Sequence, residues 1–437
     1  MASISLGEYE FSNLETVDDI KLEVSKRVSL FEEKLMTVED RKEMTYQVIS
    51  DILKERAANM LSAGFPMPTL EEDNVLTQAI ISSMFGMGNL QSYLEDEQIE
   101  NIDINGPDDV WLTYANGKKI RAGKIAESDE DLIDSIRAIA TRAGLAERRF
   151  DSACPELDIR LPDGSRLSAL MEVCKHPVIS IRKHRFVDIT LQDEIKLGLL
   201  DEFCASLLSA CVKSGKNIII AGRTNSGKTT LLRALANEIP PAERIITIEQ
   251  SLELGINELT QRHPDCIALE ARLPNAEGIG EISMADLVRR SLRMNPDRVI
   301  VGETLGPEIV ALLNAMSQGF GSLATIHSDS SFGVFNRIAS YAAQSAERLP
   351  MEATNLLIAS SIDFVVYVAL SVDPISQKIK RYVTSVREVV GAEGNMVVSN
   401  EIIKFSKDFG IQVGSPVSSG MMSDLMDHGF KPNAKEL

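Results

Sequence analysis

A glycine-rich loop between an apolar segment and a helix-forming segment is the feature that most constrains this chain. Residues 222–229 read GRTNSGKT, which matches the pattern G-x-x-x-x-G-K-[ST] at every fixed position. The preceding residues NIIIAG (217–222) predict a buried strand, and the following residues predict a helix over about 228–238. A strand, a glycine-rich turn and a helix N-terminus in this order cradle phosphate, because their backbone N–H groups point at phosphate oxygens. The loop therefore predicts an α/β domain that binds a nucleotide.

Two side chains of this loop carry specific chemistry. Lys228 is predicted to place its charge at the β- and γ-phosphates of ATP, and the Thr229 hydroxyl is predicted to bind Mg²⁺. The Arg223 side chain is predicted to lie either over the nucleotide or in solvent, and the position in solvent is favoured. The residues predicted to contact the nucleotide are Gly222, Arg223, Thr224, Asn225, Ser226, Gly227, Lys228, Thr229 and Thr230.

Carboxylates at the ends of predicted strands are candidate catalytic groups. Glu303 ends the apolar strand RVIVGE, 75 residues after Lys228, and is predicted to orient the attacking water and to lie at the metal. An aspartate directed at Mg²⁺ is expected just before such a glutamate, but Gly302 stands there. Either the metal is held through water, or Glu249 at the end of RIITIE or the nearby Glu253 helps to hold it. The alternative for each of these acids is a solvated position at a strand end.

The histidines and cysteines indicate no metal cluster. Five histidines are scattered without an HExxH pattern or cysteine partners, so zinc is not expected. His327 ends the predicted strand SLATIH, and from the residues alone a structural histidine is the favoured interpretation. Five cysteines without a CxxC pair are predicted to be reduced, mostly buried thiols of a cytoplasmic protein.

After residue 200, predicted strands and helices alternate, which is typical of a parallel sheet with helices on both faces. The predicted strands are 217–222, 244–249, 298–303 and 322–327, and the predicted helices are 199–213, 228–238, 283–294 and 307–317. A helix at 351–361 and strands at 363–370, 379–390 and 396–404 follow, and residues 414–437 show no assignable pattern.

The first 187 residues divide into two regions of different pattern. Residues 17–62 and about 70–85 carry apolar side chains at helical spacing, which predicts a small acidic helical bundle. From about residue 99 the chain alternates apolar and polar residues around turn signals, with one helix at 129–143, which predicts an α+β domain ending near residue 187.

The charge of the chain excludes some classes of function. The net charge of −19 argues against a general nucleic-acid binder, because phosphate binding needs a surplus of Lys and Arg. The sequence has no apolar run of 18 or more residues, which argues against a membrane span. The acidic N-terminus predicts no signal peptide. Residues 1–130 hold a balance of −14, whereas the stretch Arg137–Arg185 holds ten basic and six acidic side chains. This basic stretch has two equally favoured explanations. Its side chains either lie near an anionic ligand or pair with neighbouring carboxylates.

Four blocks of the C-terminal half resemble the type II/IV secretion system ATPases. They read GRTNSGKTTLLRALA, RIITIEQSLEL, SLRMNPDRVIVGETLGPEIVALLNAM and GSLATIHSDSSFGVFNRIASYA. Within that family the chain most resembles the CpaF/TadA-type branch, the motors of tight-adherence (Flp-type) pilus assembly. Upstream, YLEDEQIENIDINGPDDVW, LPDGSRL and VISIRKHRF are similar to the family's N-terminal domain. The resemblance covers roughly residues 75–405, and the four blocks together are highly specific.

The resemblance implies a fold and a domain order. It implies a RecA-like P-loop ATPase domain preceded by a PAS-like α+β N-terminal domain and an N-terminal helical bundle. The expected boundaries are 1–88 for the bundle, 89–187 for the N-terminal domain, 188–200 for a linker, 201–412 for the ATPase domain and 413–437 for a tail.

The resemblance also implies an activity and its residues. The chain is expected to be a cytoplasmic, hexameric motor ATPase, or one peripheral at the inner face of the cell membrane, that uses ATP and Mg²⁺ and acts on inner-membrane platform proteins. Lys228 and Thr229 match Walker A, Glu303 the Walker B glutamate, and His327 the His box, where a sensor role is favoured. Glu249 and Glu253 lie in the Asp box. Arginines of the N-terminal domain reach the phosphates in this family, and the matching blocks hold Arg160, Arg166, Arg182 and Arg185.

Three departures from the family pattern bear on the rate of hydrolysis. Gln250 stands where an acid is common, Leu305 stands where Arg is common, and GFGS (319–322) is one residue shorter than the usual loop. An active ATPase is still predicted, because Lys228 and Glu303 are present.

Three other functions stay open. They are a conjugative or effector type IV secretion ATPase, a RecA-like nucleic-acid motor, and a nucleotide-gated assembly factor that does not hydrolyse ATP. The acidic bundle is expected either to dock a basic partner or to be a plain solvated surface.

Overall fold

A computed structural model of the chain describes nine ranges of residues, the single residue 274 and separate positions between 20 and 80. The chain divides into two compact units, 1–183 and 184–437. The described ranges are 38–62, 90–115, 117–142, 149–161, 163–183, 188–272, 274, 279–372, 379–406 and 410–432.

In the first unit, the described residues form a six-stranded antiparallel sheet in the order β3-β2-β1-β6-β5-β4. Alternate residues of its strands point to one face, where they pack with Leu132 and Ile136 of a covering helix. The elements are α1 (Val38–Ser62), α2 (Gln91–Glu95), β1 (Ile99–Ile104), β2 (Val110–Tyr114), β3 (Lys119–Ala122), α3 (Asp129–Arg142), β4 (Glu156–Arg160), β5 (Arg166–Leu170) and β6 (Val178–Arg182).

Most of the predicted helical bundle lies outside the described residues. In the part that is described, α1 buries Ile49 and Ile52 with Ile20, Val24 and Ile80 in a small apolar cluster. The second segment of predicted helical spacing, over about 70–85, is described only at isolated positions.

In the second unit, the described residues form a nine-stranded sheet in the order β15-β14-β13-β12-β7-β11-β10-β8-β9. The six strands from β12 to β9 pair in parallel, and β13, β14 and β15 extend the sheet in antiparallel pairs. The strands are β7 (Ile218–Gly222), β8 (Ile245–Glu249), β9 (Cys266–Glu270), β10 (Arg298–Thr304), β11 (Leu323–His327), β12 (Phe364–Val372), β13 (Ile379–Glu393), β14 (Met396–Ser406) and β15 (Gly410–Val413).

Helices cover both faces of this second sheet. The helices are α4 (Leu191–Leu197), α5 (Glu202–Lys213), α6 (Lys228–Ala236), α7 (Met284–Ser291), α8 (Ile309–Met316), α9 (Gly333–Gln344), α10 (Met351–Ser361) and α11 (Ser419–Asp427). In β7, Ile218 and Ile220 join the core formed with α4, α5, α6 and α11, whereas Ile219 and Ala221 join the core formed with α7 to α10. The strand is apolar throughout because both of its faces are buried.

The architecture confirms the predicted α/β fold, with an α+β unit followed along the chain by a unit built on a largely parallel sheet covered by helices. Several elements were not predicted. The segment 188–200, expected to be a linker, contains α4, which a Thr190–Asp193 capping box begins and which packs in the core of the second unit. The unassigned tail contains α11, where Leu425 and the following Phe430 are buried. Strands β9 and β15 and helix α9 were also absent from the prediction.

Within the described ranges, no helix is both long and apolar enough to cross a membrane.

Candidate nucleotide-binding site

The glycine-rich loop joins the end of β7 to the start of α6 at the carboxyl edge of the parallel strands. At Gly222 a Cβ would lie 2.4 Å from Ser226 Oγ and 2.5 Å from the Val368 carbonyl oxygen, so only glycine fits. Gly227 caps α6 with φ of +97°, a left-handed conformation that glycine adopts without strain. Among the described residues no side chain caps the first amides of α6. Those N–H groups are therefore available to an anion.

The loop side chains differ in their exposure. Ser226 is fully buried, and its Oγ has no hydrogen-bond partner among the described residues. Arg223, Thr224 and Asn225 are exposed, and the Nε of Arg223 lies 3.0 Å from an oxygen of the exposed Asp329. Thr229 and Thr230, the first residues of α6 after Lys228, are half-buried.

Lys228, His327 and Glu303 form a continuous polar chain. Lys228 is buried, and its Nζ lies 3.1 Å from the Arg223 carbonyl oxygen and 3.2 Å from Nδ1 of His327. The other ring nitrogen of His327, Nε2, lies 2.7 Å from a carboxylate oxygen of Glu303. An ammonium group only donates and a carboxylate only accepts, so the tautomer that fits carries its proton on Nε2. The three side chains come from α6, β11 and β10 and meet because β11 pairs with both β7 and β10.

Glu249 occupies the space beside Gly302. It is buried at the end of β8, and its Oε2 accepts hydrogen bonds of 2.7 Å from the backbone N–H groups of Glu253 and Leu254. A Cβ at Gly302 would lie 3.1 Å from Glu249 Cγ. Burial raises the pKa of Glu249, and the two backbone hydrogen bonds oppose that rise. The Glu249 carboxyl group therefore fills the region where an aspartate at position 302 would project.

The donor set fits a nucleotide phosphate with Mg²⁺. The open amides of α6, the close approach at Gly222 and the Lys228 ammonium suit a phosphate chain, and the Thr229 hydroxyl suits a magnesium ligand. In the described part of the chain, no three His, Cys, Asp or Glu side chains are grouped to hold a metal ion by themselves.

The arginines of the first unit lie in one row. Arg160 of β4 pairs across the ladder with Arg166 of β5, and Arg166 pairs with Arg182 of β6. Residues directly opposite in adjacent strands share a face, and like charges so placed repel one another. Asp103, Lys119 and other polar residues share this face, opposite the apolar core. Arg185 lies outside the described residues.

Two contacts at or near the site come from β13, a strand for which no role in the site is predicted from the sequence. Arg381 of β13 donates from Nε to the Asn225 carbonyl oxygen at 2.9 Å. Farther along β13, Ser385 lies 2.8 Å from Ser331 Oγ, in the loop that follows His327. The register of β13 against β12 brings these residues near the site, and a single sequence carries no signal of that register.

Comparison with known proteins identifies a family model and several similar proteins. Residues 86–400 match the family model described as type II/IV secretion system protein. A Mycobacterium tuberculosis protein named for conjugal transfer is 34% identical over 258 residues, which are 57% of this chain and 70% of the relative. The type IV secretion system protein PtlH of Bordetella pertussis is 30% identical over 315 residues, 65% of this chain and 89% of the relative. The crystal structure of the Brucella suis VirB11 ATPase is 27% identical, with a TM-score of 0.36, over 68% of this chain and 92% of that structure.

Proposed function

The chain belongs to the type II/IV secretion system protein family and is an ATPase of it, and we propose that it is the hexameric motor of a pilus-assembly or secretion machine. In this proposal ATP hydrolysis powers work on inner-membrane platform proteins, with the chain in the cytoplasm or peripheral at the inner face of the cell membrane. The motif blocks favour the tight-adherence pilus branch of the family.

The observation that carries the proposal is the series of side-chain contacts from Lys228 through His327 to Glu303, beside the phosphate loop. It places a cation for the phosphates, a histidine and a carboxylate within hydrogen-bond distance of one another. A site that only bound nucleotide would need the loop and Lys228, but it would not need a carboxylate aligned with them. The arrangement supports hydrolysis rather than binding alone.

Each residue has a defined role in the proposed reaction. The α6 amides and Lys228 hold the phosphates and stabilise the charge that develops on the γ-phosphoryl group. Glu303 accepts a hydrogen bond from the attacking water and orients it. His327, held between Lys228 and Glu303, responds to the presence of the γ-phosphate. Thr229 is the proposed Mg²⁺ ligand, with Glu303 near the metal, and Glu249 and Glu253 support the site from the loop after β8.

The arginines of the first unit are proposed to complete the site. Arg160, Arg166 and Arg182 present three like charges on adjacent strands, which an anion would stabilise. We propose that one or more of them contact the phosphates, with Arg185 a further candidate. Closure of the first unit on the second would then couple the state of the nucleotide to a hinge motion between the two units.

A second function is favoured by the relatives. The two curated relatives compared above carry names that refer to conjugal transfer and type IV secretion. A conjugative or effector secretion ATPase would use the same site. Deletion of the gene in its native host separates the two, since a pilus motor is required for surface pili and a secretion motor for transfer or export.

The test combines oligomeric mass with turnover. The purified full chain with Mg²⁺ and ATP should have six times the chain mass of 48.0 kDa by light scattering and should release phosphate continuously. Single-stranded and double-stranded DNA should leave the rate unchanged. A monomer under all nucleotide conditions would contradict the hexamer, and strong stimulation by DNA would favour a nucleic-acid motor.

A further inference from the structure

We propose that Arg381 of β13 is a positioning residue that holds the phosphate loop in its nucleotide-binding conformation. The inference rests on the proposed ATPase site and adds a residue that lies outside the recognised motif blocks. It concerns affinity for ATP rather than the chemical step.

The first observation is a hydrogen bond at the strained point of the loop. Asn225 has φ of +62°, the left-handed region that a non-glycine residue rarely occupies. Its carbonyl oxygen accepts the hydrogen bond of 2.9 Å from Arg381 Nε. A bond from a charged donor to that carbonyl stabilises the left-handed conformation over the ordinary alternatives.

The second observation is packing along the same side chain. An ideal Cβ at Gly227 would lie 3.4 Å from Arg381 Cδ and 4.0 Å from Leu199 Cδ1. The aliphatic part of Arg381 therefore lies against the loop from Asn225 to the cap of α6. One side chain thus lies beside both Asn225 and Gly227, in the C-terminal half of the phosphate loop.

The third observation is how Arg381 itself is held. Two residues along β13, the Val383 N–H donates to the Leu199 carbonyl oxygen at 2.7 Å, which fixes the strand beside the segment after α4. Glu194 of α4 is buried; burial raises its pKa to about 7, and the nearby charge of Arg381 reduces that rise. Arg381 thus contacts the loop from a strand that is anchored to the second unit's own α4 segment.

The prediction is a change in KM without a change in kcat. Without Arg381 the loop also adopts conformations that cannot bind phosphate. The apparent affinity for ATP then falls in proportion to the fraction of molecules that keep the binding conformation. Arg381→Ala should raise KM for ATP about tenfold, with kcat within about twofold of wild type. Arg381→Lys, which keeps a donor and most of the aliphatic stem, should give an intermediate KM. The neighbouring Lys380 is exposed, and Lys380→Ala is the matched control.

The experiment measures phosphate release and, separately, the Kd for ATP by titration calorimetry on the full chain and each variant. Raised KM and Kd in Arg381→Ala, partial rescue in Arg381→Lys and no change in Lys380→Ala support the inference. An unchanged Kd, or a lower kcat with unchanged KM at equal folded fraction, would overturn it. If Arg381→Ala does not fold, Arg381→Lys alone tests the inference, by the same measurements of phosphate release and of the Kd for ATP. A wild-type chain that binds ATP without hydrolysing it would contradict the ATPase proposal, while the Kd values would still decide the role of Arg381.

Discussion

The Nε2 atom of His327 lies 2.7 Å from a carboxylate oxygen of Glu303, at the ends of two neighbouring parallel strands. This contact links the only acid in RVIVGE to a ring whose other nitrogen faces Lys228. The proposed catalytic carboxylate and the proposed phosphate-binding cation are thereby joined through one imidazole. The account of hydrolysis depends on this relationship, and so do the first two predictions.

Glu303→Gln should separate binding from hydrolysis. The amide keeps the size of the side chain and can still accept from His327 Nε2, but it no longer accepts a proton or orients water as an anion does. Phosphate release should fall by about 100-fold or more, while the Kd for ATP stays within a few-fold of wild type. Glu352→Gln, at an exposed acid on α10, is the control. Normal turnover in Glu303→Gln would remove Glu303 from the catalytic role.

His327→Ala should lower turnover more than binding. The ring connects Lys228 to Glu303, so its loss leaves both side chains without the partner that orients them. We expect kcat to fall by about 10- to 100-fold, with KM changed by only a few-fold. His428→Ala, at the exposed end of α11, is the matched control and should behave as wild type. Equal effects of the two substitutions on kcat would contradict the proposed role.

Gly302→Ala should destabilise the second unit through Glu249. Its Cβ would lie 3.1 Å from Glu249 Cγ, and the Glu249 carboxyl is fixed by two backbone amides. A cost of about 1–2 kcal/mol is expected, seen as a Tm lower by several degrees in a thermal scan. Gly391→Ala is the control, because the described residues leave open space around that Cβ. Similar Tm values for the two variants would mean that Glu249 moves aside freely.

Glu194 should make stability depend on pH. Burial raises its pKa from 4.5 to about 7, so the folded chain binds the proton more tightly than the unfolded chain does. The stabilisation is present below about pH 4.5 and is lost as the pH rises through 7. The free energy of unfolding should therefore fall by about 2–3 kcal/mol between pH 5 and pH 8 in urea titrations.

Glu194→Gln should remove most of that slope. The neighbouring Asp193 has a pKa lowered to about 2 by hydrogen bonds from Thr190 and Lys196, so its proton equilibrium lies outside this window. Asp193→Asn is the control and should keep most of the slope between pH 5 and pH 8, because burial raises the pKa of Glu194 more than the charge of Asp193 does. A slope that persists in Glu194→Gln would assign the dependence to another group.

The sequence predicted the elements whose patterns are local. The strand before Gly222, the helix after Lys228 and the strands ending at Glu249, Glu303 and His327 were all placed to within a few residues, because each is an apolar run closed by a turn or a polar residue. In α9 the buried residues Val334, Phe335 and Ile338 have helical spacing, so this helix too has a local pattern in the sequence.

Other features could not be read from one sequence. Strand β9 is only five residues long and partly exposed, so its pattern is weak. Helix α11 has few buried side chains, so its own sequence gives a weak pattern. The helix is held in place by its packing on α5. The pairing of Arg381 with Asn225 joins positions far apart in the chain, and it depends on strand register. The alignment of Arg160, Arg166 and Arg182 depends on register in the same way.

The most direct test of the central claim is steady-state phosphate release by the full chain and by Lys228→Ala. Lys380→Ala provides the control for loss of one lysine, and circular dichroism confirms that each variant is folded. The account predicts sustained turnover by wild type and by Lys380→Ala, and release at the background rate by folded Lys228→Ala. Wild-type turnover by Lys228→Ala, or no turnover by the wild-type chain as a hexamer with Mg²⁺ and ATP, would contradict it.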